Sequence, residues 1–372
     1  MNGYDILSKE NRPESLTIIE AFILTKPKLQ KYKRIACSIS GGSDSDILLD
    51  MLAKLDVEKK VRYVFFDTGI EYEATKRHIK NLCEKYGIEI ERIKAKKTVP
   101  ASCREFGLPF ISKKVSGYME RLQRNGFQWE SGTFIELLEK YCVEVTREEA
   151  LDENGNIKKG IGEHKGRYFK GCCAALRWWC NEFGEGSQFN IAYNKWLKEF
   201  IMENPPKDIK FSDKCCMWAK KKPVHEFLKE NGIELNIYGV RKAEGGQRAT
   251  AYKNCFSENV KGSGIDEYRP LFWFKNNDKE EYERFYEVEH SDCYIKYGLK
   301  RTGCAGCPFG KDFEEELRTM SQNEPKLYKA VCNIFGKSYE YTRKYREYAK
   351  KREYEQRQKK KEGEYKQLSL FE

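Results

Sequence analysis

Four histidines are scattered over the 372 residues, and they form no zinc-protease or zinc-finger pattern. No apolar run approaches the ~18 residues that a membrane span needs. The opening residues, Met1-Asn2-Gly3-Tyr4-Asp5, hold no apolar signal region. The glycine turn at 40–45 is not closed by Gly-Lys-Ser/Thr, so it is not a Walker phosphate loop. There is no internal repeat. What these absences leave is the expectation of a cytoplasmic protein with no membrane partner, long enough for two or three domains at roughly 150 residues each.

Cysteine is abundant by contrast. Fourteen cysteines without a secretory signal argue against a disulfide framework and for metal or thiol chemistry. Positive charge is also in excess, at +11, and it is unevenly spread. Residues 341–366 hold eleven Lys/Arg against five Asp/Glu. Such a segment either contacts nucleic acid or forms a solvated helix face.

The first hundred residues alternate between strand and helix. Residues 12–32 have helical spacing, with Leu16, Ile19, Phe22 and Ile23. Strands are expected at Arg34–Ile39, Val61–Phe66 and Ile88–Ile93, with helices at 46–52 and 71–86 between them. This order implies a parallel sheet with helices on both faces. Leu235–Val240 reads as a strand returning to that sheet. Residues 113–210 read as a mainly helical insertion broken by a Gly-rich, charged stretch at 152–166. Residues 311–360 are helical in pattern, with Tyr341, Tyr345 and Tyr348 on one face as packing residues.

Ser40-Gly41-Gly42-Ser43-Asp44-Ser45 is then a strand-to-helix turn. Glycines let the backbone approach a ligand closely, and the helix N-terminus favours an anion such as phosphate. The plain alternative is an ordinary turn with Asp44 or Ser45 as helix cap. Asp67-Thr68-Gly69 ends the next strand. Ligands on parallel sheets sit at the carboxyl ends of strands, so two such loops on one rim favour a nucleotide site.

Two cysteine groups stand out. Cys215-Cys216 is one, and Cys304-Ala305-Gly306-Cys307 is the other. Four thiolates suit zinc or an iron–sulfur cluster. Side chains of adjacent cysteines diverge, which suits a larger cluster better than one metal ion. Cys172-Cys173, near Cys180, is a rival ligand source. Cys37, Cys83, Cys142, Cys255 and Cys332 read as core or incidental residues, with Cys103 and Cys293 undecided.

These residues resemble a known family. Ser40–Ser45 is similar to the PP-loop of ATP pyrophosphatases. Asp67-Thr68-Gly69-Ile70-Glu71, with Thr75, resembles the second loop of the phosphoadenosine phosphosulfate (PAPS) reductase branch. Gly239-Val240-Arg241-Lys242-Ala243-Glu244-Gly245-Gly246-Gln247-Arg248 resembles that branch's Gly-x-Arg-x-x-Glu-Ser-x-x-Arg segment, with Gly245 in place of Ser. Pro270-Leu271-Phe272-Trp273, then Asp278 and Tyr282, is similar to its next block. Cys215-Cys216, followed by Lys221-Lys222-Pro223, and Cys304 with Cys307 resemble the cluster pattern of adenylyl-sulfate reductases. The resemblance spans roughly residues 30–310, less the insertion.

The resemblance implies an adenine nucleotide α hydrolase-like α/β fold and a 4Fe-4S cluster on Cys215, Cys216, Cys304 and Cys307. Ser40, Gly41, Gly42, Ser43, Asp44 and Ser45 would cradle the phosphates of ATP (or of adenylyl sulfate or PAPS) with Mg2+. Asp67, Thr68 and Gly69 would lie against the adenosine, with Glu244 also at the nucleotide. Arg241 and Arg248 would meet the phosphates, because guanidinium pairs bidentately with phosphate oxygens. Asp44, Arg241 and Arg248 are the candidate catalytic residues. Reductases of this family carry a nucleophilic cysteine in a C-terminal Glu-Cys-Gly-x-His segment. Nothing after Cys307 fits it, since Ala330-Val331-Cys332-Asn333-Ile334 reads as helix interior.

Other branches split ATP to AMP and pyrophosphate, adenylate an acceptor oxygen and let sulfur displace it. That makes a sulfurtransferase acting on nucleic acid, with DNA favoured, the first expectation, together with a sulfur-donor protein. The alternatives are a sulfonucleotide reductase releasing sulfite and a non-catalytic nucleotide-sensing partner on DNA. The ending Gln367-Leu368-Ser369-Leu370-Phe371 resembles the pentapeptide that docks bacterial proteins on the replicative sliding clamp, with Gln367, Leu368, Leu370 and Phe371 as contacts. The expected organisation is a first nucleotide-core part at 1–112, the insertion at 113–210, core completion with the cluster cysteines at 211–310, a helical extension at 311–360 and a tail at 361–372.

Overall fold

Alternation along the first strands decides the architecture. In the computed structural model, which describes residues 12–245 and 250–368, β1 (Ile35–Ile39) and β2 (Val61–Asp67) are parallel neighbours. Ile35, Cys37 and Ile39 share one buried cluster with Tyr63 and Phe65. Ala36 and Val64, the residues between, are buried in a second cluster. Successive strand side chains point to opposite faces, so both faces are covered. That is why these strands read as nearly continuous apolar runs.

The remaining strands are β3 (Ile90–Lys94), β4 (Val143–Val145), β5 (Ile161–His164), β6 (Arg167–Lys170), β7 (Leu235–Tyr238), β8 (Phe256–Ser257) and β9 (Asp266–Tyr268). Among the described residues the larger sheet runs β3-β2-β1-β7-β9-β8. All its pairings are parallel except the edge pair β8–β9. The expected α/β sheet and its return strand are therefore present.

Helices α1 (Leu16–Lys31), α2 (Ser43–Leu55) and α3 (Glu73–Tyr86) supply the cover on one face. Ile18, Phe22 and Leu29 of α1 meet Ile47, Leu48 and Leu52 of α2 in the first cluster. Phe227 and Leu228, from the helix Lys222–Glu230, cover the other face against Ala36 and Val64. α3 ends at Gly87, whose φ of +60° closes the helix in a left-handed cap.

Contacts divide the chain into two compact units. The first comprises the residues up to Ala101, Cys216–Gly306 and Glu314–Val331, and it contains the larger sheet. The second comprises Ser102–Cys215, Cys307–Phe313 and the residues from Cys332 onward. Its core gathers Phe110, Trp178, Trp179, Phe200, Phe211 and Tyr341. The helix Pro325–Leu368 contributes the expected tyrosine face. Tyr341, Tyr345 and Tyr348 set their rings 5.1, 5.5 and 5.6 Å from that of Phe200. They are packing residues, as their spacing suggested. The insertion is helical, with one addition, the antiparallel sheet β4-β6-β5.

Candidate nucleotide site

In the first unit the sheet order places β1 between β2 and β7. The chain leaves β1 towards β2 on one side, and β7 lies on the other. The carboxyl end of β1 is thus a point where the strand order reverses, which is where parallel sheets bind ligands. Three loops end there: Ser40–Gly42 after β1, Asp67–Gly69 after β2 and Gly239–Arg241 after β7.

The loop after β1 is built around two backbone demands. Gly41 has φ +67°, and a Cβ there would stand 2.7 Å from Thr75 Cγ2. Gly42 is the residue that caps α2, its carbonyl accepting from the N–H groups of Ser45 and Asp46 at 2.8 and 3.0 Å. Ser45 Oγ accepts from the Ser40 N–H at 2.9 Å, which closes the loop on itself. The first-turn N–H groups of Ser43 and Asp44 have no carbonyl inside the helix to bond, and they carry its partial positive charge. Gly239 lets β7 approach this turn, since a Cβ there would lie 3.1 Å from the Asp44 carbonyl oxygen.

Positive side chains converge on the same turn. Arg241 Nε and Lys279 Nζ each stand 3.0 Å from Asp44 Oδ1. The arginine contact is an ion pair and not an aligned hydrogen bond. Arg241 also donates to Asn276 Oδ1 at 3.1 Å, and Lys279 donates to Ser43 Oγ. One step along the helix, buried Asp46 lies 3.0 Å from His78 Nε2 and 2.8 Å from His290 Nδ1. His290 Nε2 is 2.8 Å from Glu283 Oε1. Burial alone would lower the His290 pKa, but the two carboxylates outweigh it and raise it to about 9.

The second loop is locked by carboxylates. Asp67 accepts from the Gly69 N–H at 2.8 Å and from Arg92 Nε at 3.0 Å. Burial would raise its pKa, yet the Gly69 amide and Arg92 hold it below the usual range. Gly69 has φ +89°, and a Cβ there would meet Thr98 Cβ at 2.9 Å. Glu71 Oε1 accepts from the Thr68 hydroxyl and amide at 2.5 and 3.1 Å, and burial pushes its carboxyl up.

One cysteine group reaches this loop. Ala305 N–H donates to the Ile70 carbonyl at 3.0 Å, and the Cys304 thiol donates to Thr68 Oγ1 at 3.7 Å. Lys220 sits by Cys304, Glu71 and Cys216, and the charge of Cys304 is the largest influence raising its pKa. Lys220 belongs to a turn of π-helix, Met217–Lys221, that follows the cysteine doublet. π-turns inside helices are frequent at functional sites. Cys216 and Cys304 therefore share one cation in the first unit, while Cys215 and Cys307 fall in the second. A cation at this position suits an anionic thiolate set. Even so, no three His, Cys, Asp or Glu side chains among the described residues are grouped to hold a metal ion.

Other expected residues are placed differently. Glu244 accepts from the Arg241 N–H at 3.2 Å and so shapes its own turn. Arg248, Leu370 and Phe371 lie outside the described residues. Gln367 and Leu368 are the last residues of the helix Pro325–Leu368. In the block after Trp273, Asp278 anchors α1 by accepting from the Ser15 hydroxyl at 2.6 Å, and Tyr282 donates to Asp50 at 2.8 Å. The residue that faces the turn is Lys279, which sequence reading passed over. Its signal was a lysine one position after Asp278. Among the described residues no helix is long and apolar enough to cross a membrane.

Residues 34–120, which span β1 to β3, match the phosphoadenosine phosphosulfate reductase domain. An uncharacterized protein of Methanocaldococcus jannaschii is 32% identical over 85 residues, which is 23% of this chain and 17% of that protein's length. Similar solved structures include phosphoadenylyl-sulfate reductase from Candida auris in a phosphate complex, at 14% identity and TM-score 0.39 over 76% of this chain and 87% of that one. Another is the U34-tRNA thiolase NcsA from Methanococcus maripaludis with its 4Fe-4S cluster, at 13% identity and TM-score 0.32 over 89% and 80%. A third is an NH3-dependent NAD synthetase from Campylobacter jejuni, at 10% identity and TM-score 0.32 over 88% and 93%. At these scores the structural likenesses carry no argument about the reaction.

Proposed function

We propose that the chain is an ATP-dependent sulfurtransferase of the PAPS reductase type acting on DNA. An acceptor oxygen attacks the α-phosphorus of ATP, the bond to the β-phosphate breaks, and pyrophosphate leaves. Sulfur from a donor then attacks the adenylated position, and AMP leaves with the oxygen. One observation carries this reading: Arg241 and Lys279 converge on the first turn of α2 at the end of β1. Two fixed cations and a helix N-terminus stabilise charge that develops on a leaving pyrophosphate. Asp44 is the carboxylate suited to share a magnesium ion with those phosphates, and the ion would neutralise their charge. Asp67, Thr68 and Gly69 form the wall for adenosine, and Arg248 is a further phosphate contact.

Support for a nucleic-acid acceptor comes from the helix Pro325–Leu368. Its tyrosine face is packed, and Lys344, Lys350, Lys351, Arg357 and Lys359 are exposed. Such a row neutralises phosphates without reading sequence. The Gln367–Phe371 peptide supports DNA as the acceptor by docking on a sliding clamp. Cys215, Cys216, Cys304 and Cys307 are the proposed ligands of a 4Fe-4S cluster. The CxxC spacing and Lys220 support that assignment.

The test is product analysis on anaerobically purified protein. One reaction holds ATP and DNA, and the other holds adenylyl sulfate or PAPS with thioredoxin. Pyrophosphate release that depends on DNA is expected. Sulfite release in the second reaction would overturn the reading in favour of a reductase. Asp44→Asn should abolish turnover, and an unchanged cellular role in that variant would point to a nucleotide sensor. Iron content should fall in Cys216→Ser and Cys304→Ser.

A further inference from the structure

The second unit gathers three thiols that the nucleotide site does not use. Cys142 Sγ lies 3.9 Å from Cys172 Sγ and 3.7 Å from Cys173 Sγ. Sequence spacing had left Cys142 as an incidental residue. The strand register explains the meeting. β4 pairs with β6 so that Val143 faces Lys170, which sets Cys142, one residue earlier, opposite Gly171. Two glycines make the room. A Cβ on Gly171 would stand 3.2 Å from Cys142 Sγ, and a Cβ on Gly162 would stand 2.6 Å from Cys173 Cβ.

The three sulfurs are not equivalent. Cys142 is half-buried, whereas Cys172 and Cys173 are buried. Cys173 opens the helix Cys173–Trp179, and its thiol donates to the Phe169 carbonyl at 3.0 Å. Cys172 is the cap before that helix, with φ −93° and ψ 24°, so its side chain is outside the helical turn. Cys142 likewise caps the helix Phe134–Tyr141 in extended conformation. Both cap residues escape the rotamer limits that a helix imposes. Their sulfurs are in van der Waals contact, and a disulfide needs them at about 2.05 Å, within reach of side-chain rotation. The hydrogen bond between them holds the Cys172 thiol below its usual range and pushes Cys142 up to about 12, so the first proton of the pair leaves Cys172.

We propose that Cys142 and Cys172 form a reversible thiol–disulfide site, with Cys142 as the sulfur open to reductant. With hydrogen peroxide as the oxidant, the two thiols give up two electrons and two protons. The O–O bond breaks, two waters leave and one S–S bond forms. A dithiol reductant reverses this by attack on Cys142 Sγ. It is itself oxidised to a disulfide, and its two protons return to the two cysteines.

The test uses the full chain, reduced anaerobically and then titrated with hydrogen peroxide. Free thiols are alkylated and the protein is cut with trypsin. Cys142 falls in the peptide Tyr141–Arg147, and Cys172 and Cys173 fall together in Gly171–Arg177. The expected product is these two peptides joined, two hydrogens lighter than their sum apart from the one alkyl group on Cys173. Fragmentation between residues 172 and 173 should place the bond on Cys172. The bridge should form before any other among the fourteen cysteines, persist in Cys173→Ser and revert with dithiothreitol. Its absence from the oxidised wild-type protein, or a bond from Cys142 to Cys173, would overturn the proposal. Neither result depends on a variant that folds.

Discussion

His290 gives the sharpest quantitative test of the electrostatics beneath the nucleotide turn. It lies between Asp46 and Glu283, each 2.8 Å away, with its side chain 15% exposed. Its folded pKa is raised to about 9. In the unfolded chain it returns to about 6.5. A raised pKa means that the protonated ring favours the folded state. The contribution is complete below pH ~6.5 and is lost as pH climbs through ~9. A gap of roughly 2.5 units at ~1.4 kcal/mol each amounts to about 3–4 kcal/mol. His290→Gln should remove it. With two units, one denaturation midpoint is ill-defined. Urea titrations should therefore be read from methyl signals of Ile35, Ile39 and Ile47, which report the first unit alone. At pH 6 the variant should be less stable than wild type, and by pH 10 the gap should have narrowed by about 3–4 kcal/mol. Four histidines in the chain make the ring itself assignable by NMR. A ring titrating near 6.5, or a stability gap that does not change with pH, would refute the reasoning.

Three further substitutions separate site from scaffold. Gly41→Ala forces a side chain into a left-handed conformation and against Thr75 Cγ2, so nucleotide binding measured by calorimetry should fall at least tenfold, or ~1.4 kcal/mol. Lys279→Ala removes the proposed phosphate contact, worth about 1.5–3 kcal/mol if charge-assisted, so nucleotide affinity should weaken between ten- and about a hundredfold. Arg269 is fully buried, pairs with Glu267 and donates to Tyr238, Ser257 and the Asn254 carbonyl. Arg269→Met takes the cation away from Glu267 and the donor away from Ser257 and the Asn254 carbonyl, leaving only the Tyr238–Glu267 bond, and should destabilise the first unit by about 3 kcal/mol in the same methyl-resolved titration.

The parallel core was legible because burial on both faces leaves a clear mark. β1 and β2 appear as apolar runs, and each ends in a glycine loop that only a positive φ explains at Gly41 and Gly69. The sheet β4-β6-β5 was not legible. Its strands are three or four residues long, and Val143 and Glu144 are exposed, so no alternation survives. Cys142 was hidden for a related reason. Its partners lie about thirty residues away and meet it through strand register, which spacing along the chain does not encode. Lys279 shows a third limit. Asp278 and Tyr282 carry part of the resemblance and hold α1 and α2, while the lysine between them turns to Asp44.

The most direct test of the central claim is where ATP is cut. The purified protein would be incubated with DNA and ATP carrying label on the α-phosphate, and the products separated. The arrangement of Arg241, Lys279 and the first turn of α2 predicts labelled AMP, or label carried on DNA, with pyrophosphate as the other product. Labelled ADP with free phosphate would contradict it, because it would mean that those cations serve the terminal phosphate and not the α–β bond.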